Sequence, residues 1–326
     1  MAINTFSGGN PINSLQAAGK NKIINGDFGI WQRGTTFTPS ATGYFYGADR
    51  WLSYVYSAST CTLSQQTFTP GAAPVAGYEG QYFMRVSSTN TATFIGYRVE
   101  DVRTLAGQTV TLSFWAKSNA GQTLTSVGFE QGFGSGGSSP VTTNFATPPT
   151  ITTSWARYTL STTMPSVSGK TIGVNSYIQI NIQGAVSNAL DIWGVQLEQG
   201  NSATTFTTAT GNPASELAAC QRYYWRNSTT SGTYGLGVAT STTASRYLIN
   251  FPVSMRVSPT SLEYGTGVNA TDMATYNYAF TALTLNSPTL VGTRLDGTVA
   301  SGQTAFRPQA IFGTGGTDYI GFNAEL

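Results

Sequence analysis

Histidine is absent from the 326 residues, charged side chains make up only 9% of them, and there are 2 cysteines. Each shortage removes chemistry. Without imidazole the chain cannot build a Ser/His/Asp triad, a Cys/His nucleophile pair or a His-ligated zinc site. What remains is carboxylate-only catalysis, as in glycoside hydrolysis by two Asp or Glu groups, or binding and assembly without catalysis. The second class is the expectation, with no catalytic residue, metal or cofactor. Sixteen Lys and Arg against 14 Asp and Glu leave a formal charge of +2, too little to mark a nucleic-acid or anionic-membrane partner. No apolar run approaches the roughly 20 residues of a membrane helix, and the opening residues lack the basic and apolar regions of an export signal. A soluble chain without membrane insertion or an export address is expected. Cys61 and Cys220 lie far apart in contrasting contexts, so two free, buried thiols are expected rather than a disulfide.

What the chain does contain is apolar bulk: 17 Tyr, 17 Phe and 6 Trp, enough for a substantial core. From Asn21 to about Phe206, short runs alternate polar and apolar residues and are punctuated by Gly, Pro, Ser and Asn, the pattern of antiparallel strands. In Thr109-Val-Thr-Leu-Ser-Phe-Trp-Ala-Lys117 the alternation puts Val110, Leu112, Phe114 and Ala116 on one side. In Tyr177-Ile-Gln-Ile-Asn-Ile-Gln183 it does the same for Ile178, Ile180 and Ile182. Each such strand predicts one dry and one wet face. Helical signal appears once, where Asn212 can cap, Pro213 takes the first helical position, and Leu217, Cys220 or Gln221, and Tyr224 share a face. Strand patterning then resumes.

The predicted fold is all-β: a jelly-roll β-sandwich, a short linking helix and a second, smaller β-sandwich domain. The expected boundaries are 1–19 for an extended tail, 20–209 for the jelly roll, 210–225 for the helical linker and 226–326 for the distal β-domain.

The formal G-x-G-x-x-G of Gly132–Gly137 leads toward a strand and reads as a loop, and Gly169-Lys-Thr171 lacks the first glycine of a phosphate-binding loop. Adjacent Glu100 and Asp101 would diverge on a strand. Trp115 and Trp193 read as core or half-buried, while Trp31, Trp51 and Trp155 read as covering the ends of the sandwich. The best candidates for exposed rings that stack on a glycan are Tyr44 and Tyr46, with Tyr276 and Tyr278 farther along.

Asn21-Lys-Ile-Ile-Asn-Gly-Asp-Phe-Gly-Ile-Trp-Gln-Arg-Gly34, Ala48-Asp-Arg-Trp51, Leu112-Ser-Phe-Trp-Ala-Lys117, Ile192-Trp-Gly-Val-Gln-Leu-Glu198 and Leu217-Ala-Ala-Cys-Gln-Arg-Tyr-Tyr224 follow one another in a fixed order. Together they resemble bacteriophage tail-fibre and head-decoration proteins, over about residues 20 to 225. Their first domain looks like a carbohydrate-binding-module jelly roll. The resemblance implies a homotrimeric virion-surface protein, assembled in the host cytoplasm. Residues 1–19 would dock on a phage tail or capsid protein, and the distal domain would meet a host-surface glycan. In such a trimer Leu217 and Tyr224 would meet at the axis. The resemblance also raises a structural calcium, for which Asp27 and Asp191 stand at the matching positions. A capsid decoration protein of the same fold is its other implied reading; the rival of a different class, left open by the carboxylates, is a carboxylate-only polysaccharide depolymerase.

Overall fold

The computed structural model describes residues 19–39, 41–56, 60–75, 78–89, 93–184, 189–228, 232–274, 277–316 and 318–326. The proposed tail, apart from Gly19, and Tyr276 lie outside the described residues. No described helix is long and apolar enough to cross a membrane.

Two six-stranded antiparallel sheets form the jelly roll. Sheet I runs in the order Thr36–Phe37, Cys61–Thr67, Tyr82–Ser88, Leu190–Gln199, Thr109–Ser118, Ala156–Thr163. Sheet II runs Val141–Asn144, Ser126–Gly132, Tyr177–Gln183, Phe94–Glu100, Trp51–Val55, Gly43–Tyr46. Their inner faces meet as the alternation predicts, with Val110, Leu112, Phe114 and Ala116 of sheet I and Ile178, Ile180 and Ile182 of sheet II in one buried cluster. Trp51, expected at an end of the sandwich, is fully buried in this cluster against Phe28 and Tyr97.

The outer face of sheet I is dry at its centre, although Thr159, Ser161 and Thr163 of the edge strand are exposed. Thr111 and Ser113 are as buried as their apolar neighbours, because the segment after Gln199 crosses over them. The Thr111 hydroxyl donates to Gly200 O at 2.8 Å, and Arg157 reaches both the Ser113 hydroxyl and Thr204 O. Farther along that face Trp115, Trp193, Phe68, Phe83 and Phe206 form a small aromatic core of their own. Polar residues at alternate positions therefore marked hydrogen bonding to a covering segment, not contact with water.

The helix spans Pro213–Gln221, and Asn212 caps it by accepting the Ser215 N–H at 2.9 Å. Its inward face is Glu216 and Cys220. Glu216 accepts hydrogen bonds from the Asn25 N–H at 2.6 Å and from both the N–H and hydroxyl of Thr210. A satisfied carboxylate thus does the work assigned to an apolar stripe. Leu217 is left 38% exposed, and Tyr224 has already entered a strand.

Gln122–Thr123 and Thr150–Ile151 add a two-stranded sheet to the jelly roll, and the strands after the helix form a second two-layer β unit, the larger layer of which closes on itself. Gly232–Ala239, Ala244–Asn250, Gly292–Val299, Asn277–Asn286, Val268–Thr271 and Pro308–Gly313 make a closed barrel. Beside it Tyr224–Ser228, Tyr319–Asn323 and Ser261–Tyr264 make a three-stranded sheet. One core serves both, with Tyr247, Leu295 and Ile311 of the barrel in the same cluster as Phe322 of the small sheet. Both cysteines are free and buried, and burial pushes the Cys61 thiol up to about 11.

Where the units meet, the Arg50 guanidinium is buried, paired with Glu325, and hydrogen-bonded to Arg98 O. It lies flat on Tyr223, 3.4 Å from the ring centroid. Arg33 joins the same carboxylate at 3.5 Å and stacks on Tyr224, also at 3.5 Å. Asp49, just before Arg50, is fully buried, and burial raises its carboxyl to about 6 against the pull of Arg33 and Gln32.

Three outcomes are measurable, two at this junction and one at an exposed ion pair that serves as the control. Arg50→Ala strands a buried carboxylate and should cost about 3–5 kcal/mol in denaturant unfolding. Arg103→Ala, at the exposed Arg103–Asp101 pair, should cost less than about 1 kcal/mol. Because the folded Asp49 carboxyl titrates above its unfolded value, its contribution is fully present below about pH 4 and lost as pH rises through 6. The Tm of the wild type relative to Asp49→Asn should therefore be highest at pH 4 and fall by pH 7.

Candidate functional site

Strand alternation that buries Ile178, Ile180 and Ile182 turns Tyr177, Gln179, Asn181 and Gln183 to the other side of the sheet, where Gln179 is covered and the other three are half-buried. Register extends this outward set across sheet II. Gln183 pairs with Phe94, Phe94 with Tyr54 and Tyr54 with Tyr44. One row up, Asn181 pairs with Gly96 and Gly128. In the next, Gln179 pairs with Arg98 on one side and Glu130 on the other.

The face therefore has an aromatic side and a polar side. On the first, the Tyr44 ring meets Tyr54 edge-on at 4.7 Å, Tyr54 stacks on Phe94 at 5.9 Å, and Tyr54 also meets Tyr56 at 4.7 Å. On the second, Arg98 Nε donates to Gln179 Oε1 at 2.7 Å and Gln179 Nε2 donates to Asn181 Oδ1 at 2.7 Å. The Tyr177 hydroxyl donates to Glu130 at 3.0 Å. Arg98 bridges the two sides, 4.9 Å from the Tyr44 ring centroid and 4.2 Å from that of Tyr177. Gly96 leaves room between them for the buried Leu52 side chain, since a Cβ there would stand 2.8 Å from a Leu52 methyl and 3.1 Å from Ile180 O.

Burial, opposed by Arg98 and reinforced by Glu130, pushes the Tyr177 phenol up to about 12; burial raises Tyr44 as well. Both remain neutral hydroxyls at physiological pH. At the Gly43–Tyr46 edge the face borders a groove of about 650 Å³, whose walls include Arg33, Pro39, Tyr44, Phe45, Tyr46 and Glu263. Flat rings beside amides, a guanidinium and a carboxylate can stack on a ring and exchange hydrogen bonds with several hydroxyls at once.

Of the residues singled out from sequence, Tyr44 is 48% exposed and stands between face and groove. Tyr46 also lines the groove, but its hydroxyl donates to Leu326 O at 2.8 Å and its ring lies beside Arg33. Tyr278 belongs to a barrel strand and packs against the barrel core, so the structure does not bring it to this face. Tyr224 is fully buried within its own chain, its hydroxyl donating to Glu263 at 2.8 Å, and offers no surface to a trimer axis. Sequence reading missed Tyr54, Phe94, Arg98, Gln179 and Asn181. The signal was present in the polar alternates of Tyr177–Gln183, whose apolar partners alone were used.

Asp27 and Asp191 do not fit a calcium ion. Arg85 grips both oxygens of Asp191 at 2.6 and 2.8 Å with Lys117 at 3.7 Å, whereas Asp27 receives the Tyr78 hydroxyl. Among the described residues no three Asp, Glu or Cys side chains gather at a metal-binding distance. Glu100 and Asp101 likewise serve separate partners, Arg222 with Tyr223 and Arg103.

No family model matches the chain, and no curated protein matches it. Among solved structures it is similar to the xylan-binding domain CBM22-1 of Paenibacillus barcinonensis Xyn10C, with 12% identity over 57% of this chain and 98% of that one and a TM-score of 0.35. It is similar to the CBM22-1-GH10 modules of Clostridium thermocellum endo-1,4-beta-D-xylanase 10B, complexed with xylohexaose. There the identity is 14%, the TM-score 0.33, and the match covers 48% of this chain and only 27% of the other. It is also similar to the enzymatically active domain of bacteriophage CBA120 tailspike protein 4, with 14% identity over 56% of this chain and 22% of that one and a TM-score of 0.30. Similarity at this level leaves the function to be argued from the geometry.

Proposed function

We propose that this chain is a non-enzymatic phage virion-surface protein, a homotrimeric tail-fibre or spike subunit that attaches to host-surface glycan through the outer face of sheet II. The observation that carries the binding reading is the Tyr44–Tyr54–Phe94 ladder set beside the Arg98–Gln179–Asn181 relay. Ring faces offer apolar area to the C–H side of a sugar, and the half-buried Asn181 amide, held in place by the buried Gln179, offers hydrogen bonds to its hydroxyls. The virion reading is supported by the ordered sequence motifs and not by the face. A shallow face gives weak single contacts, which three copies per fibre and many fibres per particle would multiply. Residues 1–19 would dock on a phage tail or capsid protein, and the finished protein would stand on the virion surface.

Tyr44→Ala and Asn181→Ala should each weaken binding to a responsive glycan about tenfold, measured on an array of host polysaccharides and then by calorimetry, with the Tm unchanged within a few degrees. Binding that survives both changes would move the site elsewhere. Light scattering on the purified chain should give three times 34.5 kDa, and Leu217→Asp, on the open side of the helix, should lower that mass if the helices meet at the axis. A monomeric wild type would remove the fibre reading, while labelled-antibody microscopy on virions would separate a fibre from a capsid decoration.

A further inference from the structure

The barrel wall built from Gly232–Ala239 and Ala244–Asn250 reverses the usual placement of bulk. In an antiparallel strand with one buried face, large apolar side chains belong inside. Along Gly235-Leu-Gly-Val238 the glycines turn into the barrel and both aliphatic side chains turn out to water. Register sets Leu236 opposite Leu248 and Val238 opposite Pro308. Leu236 is 61% exposed and Leu248 69%. At the end of this stripe Phe306 is 85% exposed, its N–H held by Ala239 O at 2.7 Å and its backbone in the left-handed region at φ +64. A bulky residue keeps that conformation only at a cost.

The interior fixes this exposure. A Cβ on Gly237 would overlap the Arg246 carbonyl and stand 2.7 Å from the Tyr247 ring, and one on Gly235 would run into the Ile249 side chain. Because Tyr247 and Ile249 fill the space those glycines leave, a one-residue slip that turned Leu236 and Val238 inward finds no room. Barrel closure also leaves no free edge on this wall, so a partner is met by side chains and not by strand addition.

The chemistry of the wall selects the partner. A convex surface encloses no small molecule, and aliphatic side chains give a sugar neither a flat ring nor a hydrogen bond. Taking about 150–200 Å² for each such side chain when fully exposed, Leu236, Val238, Leu248 and Phe306 show roughly 400 Å² of apolar surface, the size at which a patch marks an interaction site. A standard interface buries about 800 Å² per partner, roughly two thirds of it apolar between like subunits, so these four side chains supply most of the apolar share. Charge does not hold copies apart. Beside the stripe Arg294 grips both oxygens of Asp296 at 2.9 and 3.1 Å with Arg246 at 3.9 Å, and the whole chain carries only +2. Apolar patches of this kind meet their own copies around a symmetry axis.

We propose that this wall is where copies of the chain meet, three barrels closing their Leu236–Leu248 stripes around the axis of the trimer. The proposal rests on the homotrimer reading and puts the contact on the barrel rather than on the helix around Leu217.

The test is light scattering on the full chain and on the double variant Leu236→Glu/Leu248→Glu. Both side chains are exposed, so the variant should keep the wild-type circular-dichroism spectrum and its Tm within a few degrees, while its mass falls from three times 34.5 kDa to 34.5 kDa. Its glycan affinity per chain, read by calorimetry, should not change, because the wall is apart from the outer face of sheet II. Val174→Glu, at an equally exposed position of the jelly roll, should leave the trimer intact. A double variant that stays trimeric, or a trimer that only Leu217→Asp dissolves, would overturn this proposal and leave the fibre reading standing. A monomeric wild type would remove both. If the double variant does not fold, hydroxyl-radical footprinting of the wild-type trimer decides: oxidation of Leu236, Leu248 and Phe306 should fall at least fivefold below that of Val174, and equal oxidation would overturn the proposal.

Discussion

The buried guanidinium of Arg50 is the constraint on which the joining of the two β units depends. Arginine stays charged at any physiological pH, and its transfer out of water costs several kcal/mol. Glu325, Arg98 O and the face of Tyr223 together offset that cost. These partners come from both units, so neither unit alone satisfies the charge. The backbone at Arg50 is itself unusual, with φ +70 in the left-handed region. That conformation costs about 1–3 kcal/mol and persists only where surrounding contacts over-determine it. Here they do: Trp51 N–H bonds back to Ala48 O, Asp49 N–H bonds to Ile30 O, and the Asp49 side chain is gripped twice by Gln32.

The same region explains why the ordered sequence motifs are distinctive. Asn21 spans Val195 O, Thr207 O and the Leu197 N–H, tying the opening run to the strand Leu190–Gln199. Asn25 accepts the Trp51 indole N–H on its carbonyl and donates its own N–H to Glu216, joining that run to Ala48–Trp51 and to the helix. Gln32 bridges Asp49 and Tyr224 O. These residues are joinery, buried and fully engaged with one another. The face proposed to bind glycan is built from plainer strands, where a side chain has only to point outward and carry the right chemistry. The segments that carry the resemblance are therefore largely separate from the face proposed to bind glycan.

Local pattern carried the strands, the inward sets of sheets I and II, the Asn212 cap and the free buried cysteines, because each depends on neighbours in sequence. It failed where a distant segment intervened. Thr111 and Ser113 looked solvated until the segment after Gln199 covered them, and Glu216, outside the helical face read from sequence, turned inward to the Asn25 N–H. Trp51, read as covering an end of the sandwich, became core against Tyr97, and Tyr224, read on the helical face, entered a strand and bonds to Glu263. Barrel closure was likewise invisible, since the pairing of Gly232–Ala239 with Pro308–Gly313 joins strands separated by most of that unit.

By itself, then, the sequence determined the class of fold and the chemistry excluded from it. Period-two alternation is a local property, and the absence of histidine is a property of composition. Tertiary structure alone decided which polar residues face water and which aromatics form a ladder. Those are matters of register and of chain crossing. Tyr44 reaches Phe94 only through Tyr54, and Asp27 meets Tyr78 across 51 residues, through pairings that no window of sequence contains.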